Sequence, residues 1–173
     1  MINYQEFLNE KLILGHNERV TISSKPITEL LNKSQESKRV FGKPVGLWYG
    51  FGDSWIEFLK YEMEMSYKDL KAKHAYKIYP NFDRIITLKT EDDITNFTKK
   101  YHMDPNGVEH MAFFPNNDIN WVKVSQDYDG VEIPDYYNVK LMSDDPFYSW
   151  LYLWDVDSGC IWNASGIKRL KHL

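Results

Sequence analysis

The chain of 173 residues has little cysteine, and this scarcity excludes several kinds of site. Cys160 is the only cysteine, so no intramolecular disulfide can form and a Cys-rich zinc site is excluded. The five histidines are scattered, without a close pair at the spacing of metal ligands. We therefore expect no metal cofactor and a reducing, intracellular location.

Long apolar runs and blocks of positive charge are also missing. No apolar stretch approaches the ~20 residues that a membrane-spanning helix needs, and the first residues lack the basic start of a secretory signal. The formal net charge is −4. Duplex nucleic acid is bound by clustered Lys and Arg, so duplex binding is not favoured, although a local basic surface is compatible with the sequence. The sequence thus predicts a cytoplasmic protein without a membrane partner.

Aromatic residues, in contrast, are abundant at 16% of the chain. A chain of this length corresponds to a single domain, here residues 1–173. Periodicity and turn residues predict helices at 1–14, 54–65 and 91–101, and strands at 19–24, 45–49, 75–79, 84–88, 129–133 and 160–162. Thr90 is the predicted N-cap of the last helix, and residues 167–173 are interpreted as a short basic tail. Short strands of mixed spacing with few helices predict an α+β fold.

The segment GLWYGFGDSW at residues 46–55 combines three glycines with aromatic side chains. We predict a short strand, a break at Gly50 and Gly52, and a helix capped by Asp53 or Ser54. Such a turn places backbone N–H groups beside aromatic faces, which suits a flat, partly anionic ligand such as a nucleotide. The alternative is an aromatic core strand that leads into a core helix.

Glu132 is the strongest candidate for chemistry among the individual residues. It lies between Val131 and Ile133, just after the turn at residues 128–130. Because a carboxylate is costly to bury without a partner, Glu132 either faces water or is held in place for a function. Alternation directs Val131 and Ile133 to one side of the strand and Glu132 to the other.

Three segments, in this order, resemble motifs of the ADP-ribosyltransferase superfamily. The first is VTISSK (residues 20–25), a strand that ends in small polar residues. The second is GLWYGFGDSW, and the third is YDGVEI (residues 128–133), which resembles the late strand that carries the family's catalytic glutamate. The resemblance implies two small antiparallel or mixed sheets with flanking short helices, which form a cleft that binds NAD.

The resemblance also implies roles for individual residues. Glu132 would be the catalytic glutamate, which stabilises the oxocarbenium-like state as the glycosidic bond of NAD breaks. The residues that would bind NAD are Ser24, Gly46, Trp48, Tyr49 and Ser54. Nicotinamide would stack on Tyr49 or Trp48. The family usually has His or Arg on the first strand, where this chain has Ile22, with Arg19 nearby but out of register.

Two functions are compatible with the resemblance, and a third alternative is a small-ligand binder or a hydrolase of unrelated fold. The first is transfer of ADP-ribose from NAD to a protein or nucleic-acid acceptor, or hydrolysis of NAD. The second is a non-catalytic binding module on the same fold, which holds its partner in an aromatic groove. Catalysis predicts that Glu132, Tyr49 and Ser24 meet in one open cleft. A binding module predicts instead that Glu132 is exposed or paired with a Lys or Arg, and that the aromatic residues are buried away from it.

Overall fold

The computed structural model describes residues 15–30, 32–36, 42–62, 74–103 and 119–173, and the helix predicted at 1–14 lies outside them. The described strands are β1 (Arg19–Ser23), β2 (Leu47–Phe51), β3 (His74–Pro80), β4 (Ile85–Thr87), β5 (Gly130–Ile133), β6 (Ser158–Ile161) and β7 (Ile167–His172). The α-helices are α1 (Ser54–Tyr61), α2 (Glu91–Tyr101), α3 (Trp121–Asp127) and α4 (Tyr136–Val139). Short 3₁₀ helices span Lys140–Asp144, Pro146–Leu153 and Ala164–Gly166.

All of these strands belong to one curled sheet, a half-barrel with the order β4–β5–β6–β2–β1–β3–β7. Neighbouring strands are antiparallel, except that β4 and β5 are parallel. The predicted α+β class is confirmed. The expectation of two separate sheets is wrong, because β1 pairs with both β2 and β3 and so joins the described strands into one sheet.

The shortest ladder of the sheet lies between β1 and β2. These strands pair only at Arg19–Phe51 and Val20–Gly50, whereas the β1–β3 ladder runs along the whole of β1. Beyond Val20 the two strands diverge. The sheet therefore has one half with β4, β5, β6 and β2, and a second half with β1, β3 and β7, joined by these two residue pairs.

The helices and an aromatic core cover one face of the first half-sheet. Ile94, Phe97 and Tyr101 of α2 are buried in this core, as their helical spacing predicts. The predicted cap is confirmed, since the Thr90 hydroxyl accepts a hydrogen bond from the Asp93 N–H in a capping box. Other large members of the core are Trp121, Trp150, Trp154 and Trp162.

The last strand differs from the sequence-based expectation. The pattern at residues 167–173 predicts a tail, but Ile167–His172 forms β7 and pairs with β3. Ile167 and Leu170 pack against the same hydrophobic cluster although they are three positions apart, because the register shifts between Tyr79 and Pro80. This bulge removes the alternation by which a strand is identified in a sequence.

Candidate functional site

Glu132 lies on β5, between β4 and β6, on the face of the sheet opposite the aromatic core. Val131 and Ile133 belong to that core, so the predicted separation of Glu132 from its neighbours is confirmed. Glu132 itself has 0% exposure, and the alternative of a water-facing side chain is therefore wrong. The curled sheet brings side chains from β1 and β2 over the carboxylate and removes it from water.

Four hydrogen bonds hold the Glu132 carboxylate. Arg19 donates two of them, from Nε to Oε2 at 2.7 Å and from Nη2 to Oε1 at 2.8 Å. Tyr49 Oη donates to Oε2 at 2.8 Å, and Thr87 Oγ1 donates to Oε1 at 3.0 Å. Each oxygen thus accepts two hydrogen bonds, which uses both of its lone pairs. In this conformation the carboxylate has no acceptor capacity left for a ligand.

Strand register brings these side chains together. Thr87 pairs with Glu132, Glu132 with Gly159, and Gly159 with Tyr49, so all of them lie in one row across the sheet. A Cβ atom at Gly159 would lie 2.4 Å from Cζ and Oη of Tyr49. The Tyr49 ring therefore reaches Glu132 by crossing a residue that has no side chain.

Arg19 completes the cluster from β1. Its guanidinium carbon lies 4.8 Å from the ring centroid of Phe51 and 4.9 Å from that of Phe82, and Nη1 donates to the backbone oxygen of Asn17 at 3.2 Å. The side chain is 16% exposed, so the cation is largely removed from water. In the sequence, Arg19 is out of register with the position on the first strand where the resembling family usually has His or Arg. A charged residue that opens an apolar strand is the signal that could have identified it.

Burial and charge together set the protonation of the cluster. Burial raises the pKa of Tyr49 well above its usual value, and the negative charge of Glu132 raises it further, so the phenol stays protonated. Burial acts to lower the pKa of Arg19, but the hydrogen bonds and charge of Glu132 outweigh it and the pKa is raised. Beside Glu132, the cluster thus contains a permanent cation and a neutral phenol.

A pocket of about 240 Å³ lies where β1 and β2 diverge. Aromatic residues Trp48, Tyr49 and Trp55 line it, together with the hydroxyl-bearing residues Thr21 and Ser158. Most of the remaining lining is apolar. The pocket therefore offers flat apolar walls with a few hydrogen-bonding groups, which is typical of sites for small ring-containing ligands.

The backbone of β2 also faces this pocket. In an antiparallel ladder, alternate residues direct their N–H and C=O groups to the same neighbouring strand. Gly52 N donates to the Glu18 oxygen at 2.7 Å, so alternation directs the N–H and C=O of Trp48 towards β1 as well. The ladder would join Trp48 to Ile22, but in the described part of the chain it ends at Val20–Gly50. The gap thus has a peptide donor and acceptor beside its aromatic walls.

The structure brings together only some of the predicted site residues. Gly46, Trp48 and Tyr49 line the pocket, and Tyr49 also contacts Glu132. Ser24 is exposed beyond the end of β1 and does not line the pocket. A Cβ atom at Gly46 would lie 2.4 Å from the Ile161 oxygen, so the close approach that needs glycine here is to β6.

Ser54 stabilises the turn after β2, on the side of β2 that faces β6 and not β1. Its Oγ donates to the Asp157 oxygen at 2.9 Å and accepts from the Phe51 N–H at 3.2 Å. The predicted helix begins at Ser54, with Asp53 as N-cap residue but without a side-chain cap hydrogen bond. Ser54 lines a separate pocket of about 520 Å³.

Compared with models of protein families, with curated proteins and with solved structures, the chain matches none of them. The resemblance of the three segments therefore stays a prediction. Within the described ranges, no three His, Cys, Asp or Glu side chains are grouped so that they could hold a metal ion. No helix in the same ranges is long and apolar enough to cross a membrane.

The hydroxyl group of Tyr49 offers a direct test of the cluster. Tyr49→Phe keeps the ring and removes one hydrogen bond to a charged group, so we expect the free energy of unfolding to fall by about 1.5–3 kcal/mol. Tyr152→Phe is the control, since Tyr152 is 69% exposed and its substitution should stay within ~0.5 kcal/mol. Denaturation in urea measures both. Equal, small changes in the two variants would contradict a role of the Tyr49 hydroxyl.

Proposed function

We propose that this chain is a non-catalytic binding module that holds NAD in the pocket between β1 and β2. The state of Glu132 carries this proposal. Its carboxylate is fully buried and accepts four hydrogen bonds from the protein, whereas the aromatic residues beside it line a pocket. A catalytic carboxylate has to contact the reacting atoms of its substrate, and Glu132 is occupied by the protein's own donors.

The chemistry of the pocket supports nicotinamide as the group that it binds. The flat ring would stack on the aromatic residues Trp48, Tyr49 or Trp55. A carboxamide has one acceptor oxygen and two donor hydrogens, which complement the N–H and C=O that Trp48 directs into the gap. Thr21 offers a further hydroxyl group, whereas Ser158 Oγ donates to the Val156 oxygen at 2.7 Å and could only accept from a ligand. NAD carries both the ring and the carboxamide in one molecule.

In this proposal Glu132 fixes one wall of the pocket. Its carboxylate accepts a hydrogen bond from the Tyr49 hydroxyl and is itself held by Nε and Nη2 of Arg19. The Tyr49 ring is thereby held in one orientation before a ligand arrives. A preformed wall favours binding, because fewer side chains lose conformational freedom when the ligand enters.

Calorimetric titration with NAD and with nicotinamide tests the proposed site. Ile22→Trp places a larger side chain on the pocket wall, and we expect it to weaken binding by about tenfold or more, equivalent to ~1.4 kcal/mol. Ile56→Trp is the matched control, because Ile56 is half-buried on α1 and does not line the pocket. Binding that survives in Ile22→Trp, or no binding of either compound by the wild type, would contradict the proposal.

ADP-ribosyl transfer is a second candidate function, and one observation favours it. Tyr49 and Glu132 come from the second and third resembling segments, Arg19 directly precedes the first, and all three side chains meet. In this reaction the bond between ribose and nicotinamide breaks, and nicotinamide leaves with the electron pair. An acceptor nucleophile or water then forms the new bond to the ribose carbon and loses a proton. Glu132 would have to be released by Arg19 before it could stabilise the cationic sugar.

A further inference from the structure

Basic residues are concentrated in one half of the sheet. The Lys and Arg residues of all described strands lie in β1, β3 and β7, and they are Arg19, Lys77, Lys168, Arg169 and Lys171. These three strands contain no Asp or Glu, although the chain has a net charge of −4. Because Arg19 is bound to Glu132, the remaining basic side chains of the described strands belong to β3 and β7.

Part of this positive charge lies on one face of the β3–β7 pair. Tyr79 pairs with Arg169, and Lys77 pairs with Lys171, so these side chains share the face opposite Leu170. The guanidinium carbon of Arg169 is 3.9 Å from the ring centroid of Tyr79, and Lys77 Nζ is 5.4 Å from it. We name these residues, with Lys168 at the bulge, the β3–β7 surface.

Most cations of this surface form no ion pair with a residue that the structure describes. Lys77 pairs with Glu18, but none of the ion pairs within the described ranges involves Lys168, Arg169 or Lys171. These three side chains are exposed, and in the described part of the chain β7 is the outermost strand beside β3. Among the described residues, an anionic ligand would therefore displace no carboxylate in order to contact them.

We propose that the β3–β7 surface binds single-stranded nucleic acid. Arg169 and Lys171 are about 6.7 Å apart along an extended strand, so they present a row of cations to a backbone of phosphates. The Arg169 guanidinium, already stacked on Tyr79, provides a flat surface on which a base can stack. A single strand leaves its bases open to such stacking. A duplex does not, and its major groove is read by an inserted helix or β-ribbon rather than by a basic sheet face.

Fluorescence anisotropy with a labelled oligothymidine of about 15 nucleotides tests the electrostatic part of the proposal. If three phosphates are neutralised, we expect the wild-type affinity to fall roughly 20-fold between about 50 and 200 mM salt. The variant Lys168→Gln, Arg169→Gln, Lys171→Gln should bind about tenfold or more weakly at the lower salt, with little remaining salt dependence. The control Lys89→Gln, Lys99→Gln, Lys140→Gln changes the net charge equally at other exposed positions and should bind like the wild type.

Tyr79→Leu tests the stacking part, because it leaves every charge in place. We expect oligothymidine binding to weaken about fivefold or more. Inorganic polyphosphate is the competing anion without bases. The proposal would be overturned if polyphosphate competed as well per charge as unlabelled oligothymidine. It would also be overturned if the two triple variants bound oligothymidine equally well. Neither triple variant changes the pocket between β1 and β2, so NAD titration of the same samples separates a failure here from a failure of the proposed function.

Discussion

Glu132→Gln is expected to lower the free energy of unfolding by about 3–5 kcal/mol. The substitution keeps the size of the side chain but leaves the Arg19 cation, 16% exposed, without its counter-charge. Gln also has one acceptor oxygen where Glu has two, and its NH₂ group would face a donor from Arg19 or Thr87. A loss of this size is a large part of the ~5–15 kcal/mol that stabilises a typical domain.

A double-mutant cycle identifies the ion pair as the cause. Arg19→Met combined with Glu132→Leu removes both charges, so no buried charge is left unpaired, and we expect much of the loss from either single change to be recovered. Asp155→Asn is the control, because the Lys43–Asp155 pair is 28% and 35% exposed and should contribute at most ~1 kcal/mol. Urea unfolding measures each variant. Additive losses in the cycle would show that the two side chains do not act as a pair.

Gly159→Ala should disrupt the same cluster from β6. The added methyl group would lie 2.4 Å from Cζ and Oη of Tyr49, so the ring has to move away from Glu132. Overpacking costs about 1–3 kcal/mol, and the lost hydrogen bond to the carboxylate adds about 1.5–3 kcal/mol. Because Tyr49 also lines the pocket, NAD binding should weaken in parallel with stability.

Two further variants establish that the Tyr49 ring is responsible. Gly15→Ala is the matched glycine control, since its Cβ would lie 3.7 Å from Glu18 Cγ, an ordinary contact. It should leave stability within ~1 kcal/mol of the wild type. Adding Tyr49→Leu to Gly159→Ala removes the clashing ring atoms, so the cost of the alanine should be smaller in that background. If Gly159→Ala lowered the free energy of unfolding equally in the wild-type and Tyr49→Leu backgrounds, this explanation would be contradicted.

Local signals in the sequence were sufficient for part of the fold. Helix α2 is predicted because Thr90, the acidic first turn and the apolar stripe are all close in the chain. The β7 strand is not predicted, because its bulge replaces alternation with a spacing of three. The sequence also does not reveal that β1 and β2 lie next to each other. Their adjacency joins the two expected sheets into one.

The candidate site was predictable to the extent that its residues are unusual in themselves. Glu132 stands out as a carboxylate among apolar residues, and Tyr49 lies in a segment rich in glycine and aromatic residues. Their contacts could not be predicted, because Arg19 and Glu132 are 113 positions apart and meet only through strand order and register. Thr87 and Gly159 carry no local signal. The long-range pairing of β4, β5, β6 and β2 makes them part of the cluster.

The central claim is that Glu132 supports the pocket and does not take part in a reaction. Its most direct test is to measure nicotinamide release by the wild-type protein at saturating NAD. We expect NAD to bind without release above the spontaneous rate, with or without cell extract as a source of acceptors. The contradictory result would be release that falls by ~100-fold or more in Glu132→Gln, measured below the melting temperature of that variant. Such a fall corresponds to about 2.7 kcal/mol of transition-state stabilisation and would make Glu132 the catalytic residue of an ADP-ribosyltransferase.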